Sequence, residues 1–172
     1  AQPLADAGLE RVNISLDTLD PERFSRLTFR DRHSDVLAGI EAALAAGLHP
    51  VKVNTVLMRG INDDEAVPML RHALERGWHL RFIEQMPLDA QGAWQRGEMV
   101  TASEIHQMLR AEFELTPVPH RGSAPAEEFY VDGGPATVGI IASVSEPFCS
   151  ACDRLRLTAD GQIRNCLFAR DE

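Results

Sequence analysis

Cysteine is scarce in this sequence, and the few cysteines present are clustered. The chain has 172 residues and three cysteines, all of them between positions 149 and 166. The first residues, AQPLADAGLERV, lack the basic region and the apolar core of a secretory signal. A low cysteine count without such a signal indicates a reducing compartment, the cytoplasm, and favours metal binding over disulfides.

Long apolar runs and excess positive charge are also missing. No apolar run approaches the ~20 residues that a membrane-spanning helix needs. The formal net charge of −9 argues against a nucleic-acid-binding surface, so any anionic ligand would need a local cationic pocket. The length and the 44% hydrophobic content predict a globular protein of one or two domains.

The three cysteines are spaced C-x2-C-x13-C, at Cys149, Cys152 and Cys166. Between the second and the third, the segment TADGQ carries a turn signal at Asp160–Gly161, flanked by apolar runs. This pattern predicts a β-hairpin that returns Cys166 to the first pair. We therefore expect the three sulfur atoms to converge on one centre, with or without a metal.

Two metals suit these cysteines. Structural zinc normally has four ligands, but the chain has no fourth cysteine, and His120 is a distant candidate. A [4Fe–4S] cluster held by three thiolates keeps one iron open, which is useful in a catalytic site. A zinc site with an unidentified ligand, and a disulfide with one spare thiol, remain as alternatives.

Two arginines follow the second cysteine. In DRLRLT, Arg154 and Arg156 alternate with leucines, which predicts a strand with both guanidinium groups on one face. Next to a metal ligand, such a pair could bind an anionic substrate through bidentate hydrogen bonds. The alternative is a solvated basic edge strand.

The first hundred residues alternate strand and helix patterns. The predicted strands cover residues 11–16, 50–58 and 79–86, and the predicted helices begin at caps Asp20 and Ser34 and end at glycines such as Gly47 and Gly77. Such units of strand and helix predict right-handed crossovers and a parallel sheet.

One face of each predicted strand is polar. It carries Asn13 and Ser15, then Lys52 and Asn54, then Arg81. Parallel strands covered on both faces should be apolar on both, so this pattern predicts a barrel or partial barrel whose lumen holds a polar ligand. A polar core satisfied by water molecules is the alternative.

From about residue 100 the pattern changes. A capping box at Thr101 and Glu104 opens a helix, and short β-like runs follow at residues 114–118, 128–131 and 136–143. We predict an α+β, partly antiparallel region over residues 100–172, appended to a barrel region over residues 1–99.

Four stretches carry a family resemblance: NISLDTLDPERF, PVKVNTVLMRGINDDE, LRFIEQMP and FCSACDRLRLTADGQIRNCLF. They resemble the GTP 3′,8-cyclase family of radical S-adenosylmethionine enzymes, which act in molybdenum-cofactor biosynthesis. The resemblance implies the C-terminal half of an incomplete (β/α)6 TIM-like barrel followed by a cluster-binding region. It also implies the conversion of GTP to (8S)-3′,8-cyclo-7,8-dihydroguanosine 5′-triphosphate through a 5′-deoxyadenosyl radical.

The resemblance also implies roles for single residues. The implied ligands of a second, substrate-binding [4Fe–4S] cluster are Cys149, Cys152 and Cys166. The implied contacts to the GTP phosphates are Lys52, Arg154 and Arg156. The implied contacts to S-adenosylmethionine are Ser15 and Met86, and the implied catalytic arginine beside the substrate is Arg81.

The chain departs from the family in one large respect. It has no C-x3-C-x2-C motif. In the family this motif binds the first [4Fe–4S] cluster, and that cluster cleaves S-adenosylmethionine. We therefore expect this fragment to be inactive alone. We also expect it to self-associate as a dimer across the edge of its first strand, or to cover that edge with a rearranged helix. Another radical S-adenosylmethionine enzyme with an auxiliary cluster, and a zinc-stabilised non-enzymatic domain, remain as alternatives.

Overall fold

Strands and helices alternate through the first half of the chain, and short strands dominate the second. The computed structural model describes residues 1–88, 92 and 94–168. The strands are β1 (Val12–Ser15), β2 (Val51–Leu57), β3 (His79–Glu84), β4 (Leu115–Pro117), β5 (Glu127–Val131), β6 (Thr137–Ile141), β7 (Arg156–Leu157) and β8 (Ile163–Arg164). The α-helices are α1 (Gln2–Asp6), α2 (Pro21–Thr28), α3 (His33–Ala45), α4 (Ala66–Arg76) and α5 (Ala102–Arg110).

Six of the strands form one mixed sheet in the order β1-β2-β3-β6-β5-β4. The pairs β1–β2, β2–β3 and β3–β6 are parallel, and β4 and β5 complete the sheet by antiparallel pairing. The predicted α/β class with a mainly parallel sheet is confirmed. The antiparallel strands extend the parallel sheet directly, because β6 pairs with β3.

The hydrophobic core lies between the sheet and its helices. On this side of the sheet, alternate residues of β2 and β3 are fully buried, among them Val53 and Phe82. They pack in one hydrophobic cluster with residues of three helices, Ile40, Leu70 and Ile105. The residues in between, which lie on the other face of β2 and β3, stay partly exposed. The sheet therefore has one apolar face and one face that is free for a site.

Most of the predicted helix ends are confirmed. Asp20 caps α2 by accepting hydrogen bonds from the amides of Glu22 and Arg23, and Gly77 ends α4 with φ +72°. The prediction for Ser34 is wrong, since α3 begins one residue earlier and no side chain caps it. The start of α3 is held instead by packing, because His33 is buried edge-on against Phe24. In the described part of the chain, no helix is long and apolar enough to cross a membrane.

Candidate functional site

One row of side chains crosses the polar face of the parallel strands. Pairing places Ser15, Asn54, Arg81 and Gly139 side by side on four adjacent strands. The Arg81 Nε–H donates to Oδ1 of Asn54 at 3.0 Å, and its Nη2 donates to Oδ1 of Asn13 at 2.9 Å. The guanidinium group is therefore fixed by two amide oxygens, and both amides belong to the predicted polar face.

The stem of Arg81 depends on the glycine next to it. A Cβ atom at Gly139 would lie 2.9 Å from Cγ of Arg81 and 3.1 Å from Cβ of Ala126. Real Cβ atoms do not approach neighbours that closely, so the missing side chain leaves the room that Arg81 needs. A glycine inside a strand is a recognised signal of such close approach.

Lys52 lies in the next row of the same face, between Asn13 and His79. Burial lowers the pKa of Lys52, and the nearby positive charge of Arg81 lowers it further, while Glu128 opposes both effects. Nε2 of His79 lies 3.2 Å from Oε1 of the same Glu128, and burial lowers the pKa of His79. Two basic residues and a histidine thus crowd around one carboxylate.

A cavity of about 450 Å³ lies between this face and the cysteine segment, close to the carboxyl ends of β3 and β6. It is lined by Arg81, Ile83, Met86, Pro125, Ile141, Ser143, Pro147, Phe148, Cys149, Cys152, Arg154, Arg156, Asn165, Cys166, Leu167 and Phe168. Its wall combines three arginines, three thiols and several apolar side chains. All the predicted site residues except Ser15 and Lys52 line it.

The predicted hairpin forms the outer wall. Strands β7 and β8 pair antiparallel, so that Arg156 lies opposite Arg164. The connecting turn is closed by a 2.9 Å hydrogen bond from the Thr158 amide to the Gln162 carbonyl, and Gly161 has φ +87°. The hairpin is confirmed, but its first strand begins only at Arg156, so Arg154 lies before it and is exposed.

All three cysteines are free thiols, so the structure contains none of the bridges that the disulfide alternative requires. Cys152 accepts a hydrogen bond from Nε of Arg154 at 3.3 Å, and Cys166 accepts one from the Phe168 amide at 3.4 Å. The hydrogen bond from Arg154 is the main cause of a lowered pKa at Cys152. The Arg154 donor therefore favours the thiolate form of Cys152, which is the form that binds metals.

The donor set suits an iron–sulfur cluster, although the present arrangement is open. No group of three His, Cys, Asp or Glu side chains within the described residues is arranged so that it could hold a metal ion. The expectation that the three sulfur atoms converge on one centre without a metal is therefore wrong: the hairpin brings the cysteines to one cavity but does not complete a ligand set. Nη1 of Arg156 is buried at the same cavity, and it finds no hydrogen-bond acceptor among the described residues. An anion in the cavity would satisfy this donor.

Phe148, directly before the first cysteine, stacks against two arginines. The Arg121 guanidinium carbon lies 4.7 Å from the ring centroid, and that of Arg154 lies 5.1 Å away. Arg121 is held in turn by the carbonyl of Ala124, to which its Nε donates at 2.8 Å. The stack connects the loop before β5 to the cysteine segment and limits where Arg154 can point.

Sequence reasoning missed three of these supporting residues. The glycine in the run ATVGIIAS was a readable signal for close approach at Gly139. Nothing in the sequence marked Phe148 or Arg121, because a cation–π contact between distant segments leaves no local pattern. The amides Asn13 and Asn54 were recognised as polar but not as the partners of Arg81.

A parallel α/β sheet with a cationic, thiol-lined cavity beside the carboxyl ends of its strands defines a candidate cofactor-dependent enzyme site. Comparison with known families agrees with that class. Residues 78–172 match the family Molybdenum Cofactor Synthesis C, and residues 1–73 match the Radical SAM superfamily. Because the first match covers more than half of the chain, the chain belongs to the Molybdenum Cofactor Synthesis C family.

Three similar proteins of known family all carry the name GTP 3′,8-cyclase. The chain is 64% identical to a GTP 3′,8-cyclase of Streptomyces coelicolor over 174 residues, covering 100% of this chain and 51% of that protein. It is 61% identical to a GTP 3′,8-cyclase of a Mycobacterium species, covering 100% of this chain and 49% of that protein. It is 55% identical to a GTP 3′,8-cyclase of Corynebacterium glutamicum, covering 98% and 46%. The chain spans about half the length of the relatives that it matches.

Proposed function

We propose that this chain is part of a GTP 3′,8-cyclase, a radical S-adenosylmethionine enzyme of molybdenum-cofactor biosynthesis. The whole protein would convert GTP to (8S)-3′,8-cyclo-7,8-dihydroguanosine 5′-triphosphate, and this chain by itself would be inactive. One observation carries the proposal: three thiols and three arginines line one cavity. The printed names of the relatives support the same activity.

The proposed architecture has two regions, and the boundary between them lies later in the chain than residues 73–78, where the two family matches meet. Residues 1–99 would form the second half of an incomplete (β/α)6 barrel, and residues 100–172 would form the cluster-bearing region. The parallel pairs of the sheet, and the polar face that they share, support the barrel part. The free edge of β1 would join further strands in the whole protein, or a second copy of the chain in a homodimer. We also propose a cytoplasmic location, which suits the three free thiols of the cysteine segment.

Cys149, Cys152 and Cys166 would hold a [4Fe–4S] cluster. Bound by three thiolates, the cluster would offer one open iron to the guanine base. The hydrogen bonds that Cys152 and Cys166 already accept would orient the two sulfurs, and the bond from Arg154 would also stabilise negative charge on Cys152. S-adenosylmethionine and a first cluster would be held by the whole protein, with Ser15 and Met86 contributing contacts to S-adenosylmethionine. Met86 lies in the cavity wall, which supports this role.

The arginines would hold the triphosphate. Arg154 and Arg156 line the cavity, and the buried Nη1 of Arg156 has no acceptor among the described residues. Guanidinium groups suit phosphate because they can donate two parallel hydrogen bonds. Lys52 would add a third cation from the sheet face, from just outside the cavity lining. Burial and the charge of Arg81 lower the pKa of Lys52, and an anionic ligand beside it would favour its charged form.

Arg81 would act on the reacting part of the substrate. Asn13 and Asn54 hold its guanidinium group in place, and burial lowers its pKa. A cation that is fixed before the substrate arrives can stabilise developing charge without reorganising. The apolar wall beside it, including Ile83 and Ile141, would exclude water from the reaction.

Activity of the whole protein tests the proposal. The protein containing this chain, prepared anaerobically with its clusters, should convert GTP when S-adenosylmethionine and a reductant are supplied. Cys166→Ser should abolish conversion, whereas Ser150→Ala, at an exposed position between two of the cysteines, should preserve it. Conversion by the Cys166→Ser protein would contradict the assigned ligand set. Zinc bound in place of iron would favour a non-enzymatic domain.

A further inference from the structure

Glu84 is a buried carboxylate at the end of β3 that the proposed chemistry does not use. Glu84 is fully buried, with 0% of its surface exposed. Oε1 accepts a hydrogen bond from the Ala102 amide at 2.7 Å, and Oε2 accepts from the amides of Val144 and Ser145, both at 2.8 Å. The hydroxyl of Ser145 also donates to Oε1. One carboxylate thus binds four donors from two other segments.

The two segments have different relations to the site. Ala102 is the first residue of α5, where free amides and the helix dipole favour a negative charge. Val144 and Ser145 lie just beyond β6, on the path that leads to Pro147, Phe148 and the first cysteine. These last residues line the cavity. Glu84 therefore ties the start of the cysteine segment to the end of a parallel strand.

The charge at Glu84 is held by hydrogen bonds and not by an opposite charge. Among the ion pairs of the described residues, none involves Glu84. A buried carboxylate is tolerated only when donors satisfy it, and each such donor is fixed in return. An apolar residue would fill this place without fixing any backbone position.

We propose that Glu84 is a positioning residue for the cysteine segment. By fixing the amides of Val144 and Ser145, it sets where the chain enters the turn that carries Cys149 and Cys152. The consequence for cluster binding rests on the function proposed above. The positioning itself does not, and can be measured without iron.

Hydrogen exchange on the full chain tests the positioning. Glu84→Gln replaces one acceptor oxygen with a donor group that faces amides, so exchange at Val144 and Ser145 should accelerate about 10- to 100-fold. The rise should extend to residues 147–152. Ser145→Ala removes only the hydroxyl contact and should accelerate exchange of the same amides by a few-fold. This variant provides the test if Glu84→Gln does not fold.

Glu65→Gln is the matched control. Glu65 is also buried, at 7% exposure, and accepts hydrogen bonds from the Thr18 hydroxyl at 2.6 Å and the Leu19 amide at 2.7 Å. Unlike Glu84, it also forms an ion pair with Arg23. Loss of the Glu65 carboxylate should accelerate hydrogen exchange around Leu19, whereas residues 144–152 should exchange at the same rate as in the parent chain. Unchanged exchange at 144–152 in Glu84→Gln, or an equal rise in Glu65→Gln, would overturn the proposal.

Iron binding separates this inference from the proposed function. After anaerobic reconstitution, the parent chain should hold a cluster, the Glu65→Gln chain should match it, and the Glu84→Gln chain should hold several-fold less iron. Full iron loading of Glu84→Gln, with parent exchange rates, would overturn the positioning role. A parent chain that binds no iron would refute the cluster site, and the exchange rates would still decide whether Glu84 positions the segment.

Discussion

Arg154 donates its Nε–H to the sulfur of Cys152 across 3.3 Å. A residue expected to bind phosphate is thus joined directly to a residue expected to bind metal. The hydrogen bond occupies one nitrogen of the guanidinium group, and the two Nη atoms stay available for another acceptor. Substrate binding and cluster binding would therefore share one side chain.

The first prediction concerns the phosphate contacts. Arg156→Ala in the whole protein should weaken GTP binding about 10- to 100-fold, because a charge-assisted hydrogen bond contributes roughly 1.5–3 kcal/mol. Guanosine, which has no phosphates, should bind as before. Equilibrium binding of both ligands measures the difference. Arg32→Ala removes the same charge from an exposed pair with Asp35 and should leave both affinities unchanged. Equal losses for GTP and guanosine in Arg156→Ala would favour a merely solvated strand face.

The second prediction concerns the stack around Phe148. Phe148→Leu keeps an apolar side chain but removes the ring beside Arg154 and Arg121, so GTP affinity should fall about two- to fivefold. Phe168→Leu is the control, since Phe168 lines the same cavity and has no arginine contact of this kind in the described part of the chain. Titration of the whole protein with GTP measures the affinity of each variant. A loss of similar size in both variants would mean that cavity shape matters and the stack does not.

The third prediction concerns the glycine beneath Arg81. Gly139→Ala would place a methyl group 2.9 Å from Cγ of Arg81, so the arginine or the strand must shift. We expect a loss of about 1–3 kcal/mol in the free energy of unfolding, measured by urea denaturation.

Gly39→Ala gives the matched comparison for this change. Gly39 lies in α3, and apart from its chain neighbours and the backbone of its own helix, no described atom lies within 4 Å of a Cβ added there. Alanine should stabilise this helix by about 0.5–1 kcal/mol. If Gly139→Ala were as stable as Gly39→Ala, the room left for Arg81 would not be the reason for a glycine at position 139.

The fourth prediction is a pH dependence at the start of α5. Hydrogen bonds from Thr101 and Arg59 lower the pKa of Glu104 from 4.5 to about 2. A carboxylate with a lowered folded pKa stabilises the fold above its unfolded pKa, and this stabilisation is lost as the pH falls through the folded pKa. The stability difference between the parent and Glu104→Gln should therefore be constant above about pH 5 and should disappear towards pH 2. Thermal unfolding at a series of pH values measures it, and a difference independent of pH down to 2 would contradict the assigned cause.

The sequence predicted those features that depend on local patterns. Alternation identified β2 and β3, with Arg81 and Phe82 on opposite faces, and the Asp160–Gly161 signal located the hairpin. The cap at Asp20 and the capping box at Thr101 were local too.

Features that depend on distant contacts could not be predicted in the same way. The parallel pairing of β6 with β3 joins strands separated by α5, β4 and β5, and no local pattern specifies it. The same holds for Glu84, whose partners lie 18 and 60 residues away along the chain. Ser34 had the right residue type for a cap, but burial of His33 moved the helix start.

The central claim is that the three cysteines form a cluster site, and anaerobic reconstitution with iron and sulfide tests it most directly. The parent chain should develop a broad absorbance at about 400 nm and bind about four irons, as a [4Fe–4S] cluster requires. A chain with Cys149, Cys152 and Cys166 all changed to serine should do neither. A parent chain that stays colourless, or that binds one zinc ion tightly in place of iron, would contradict the claim.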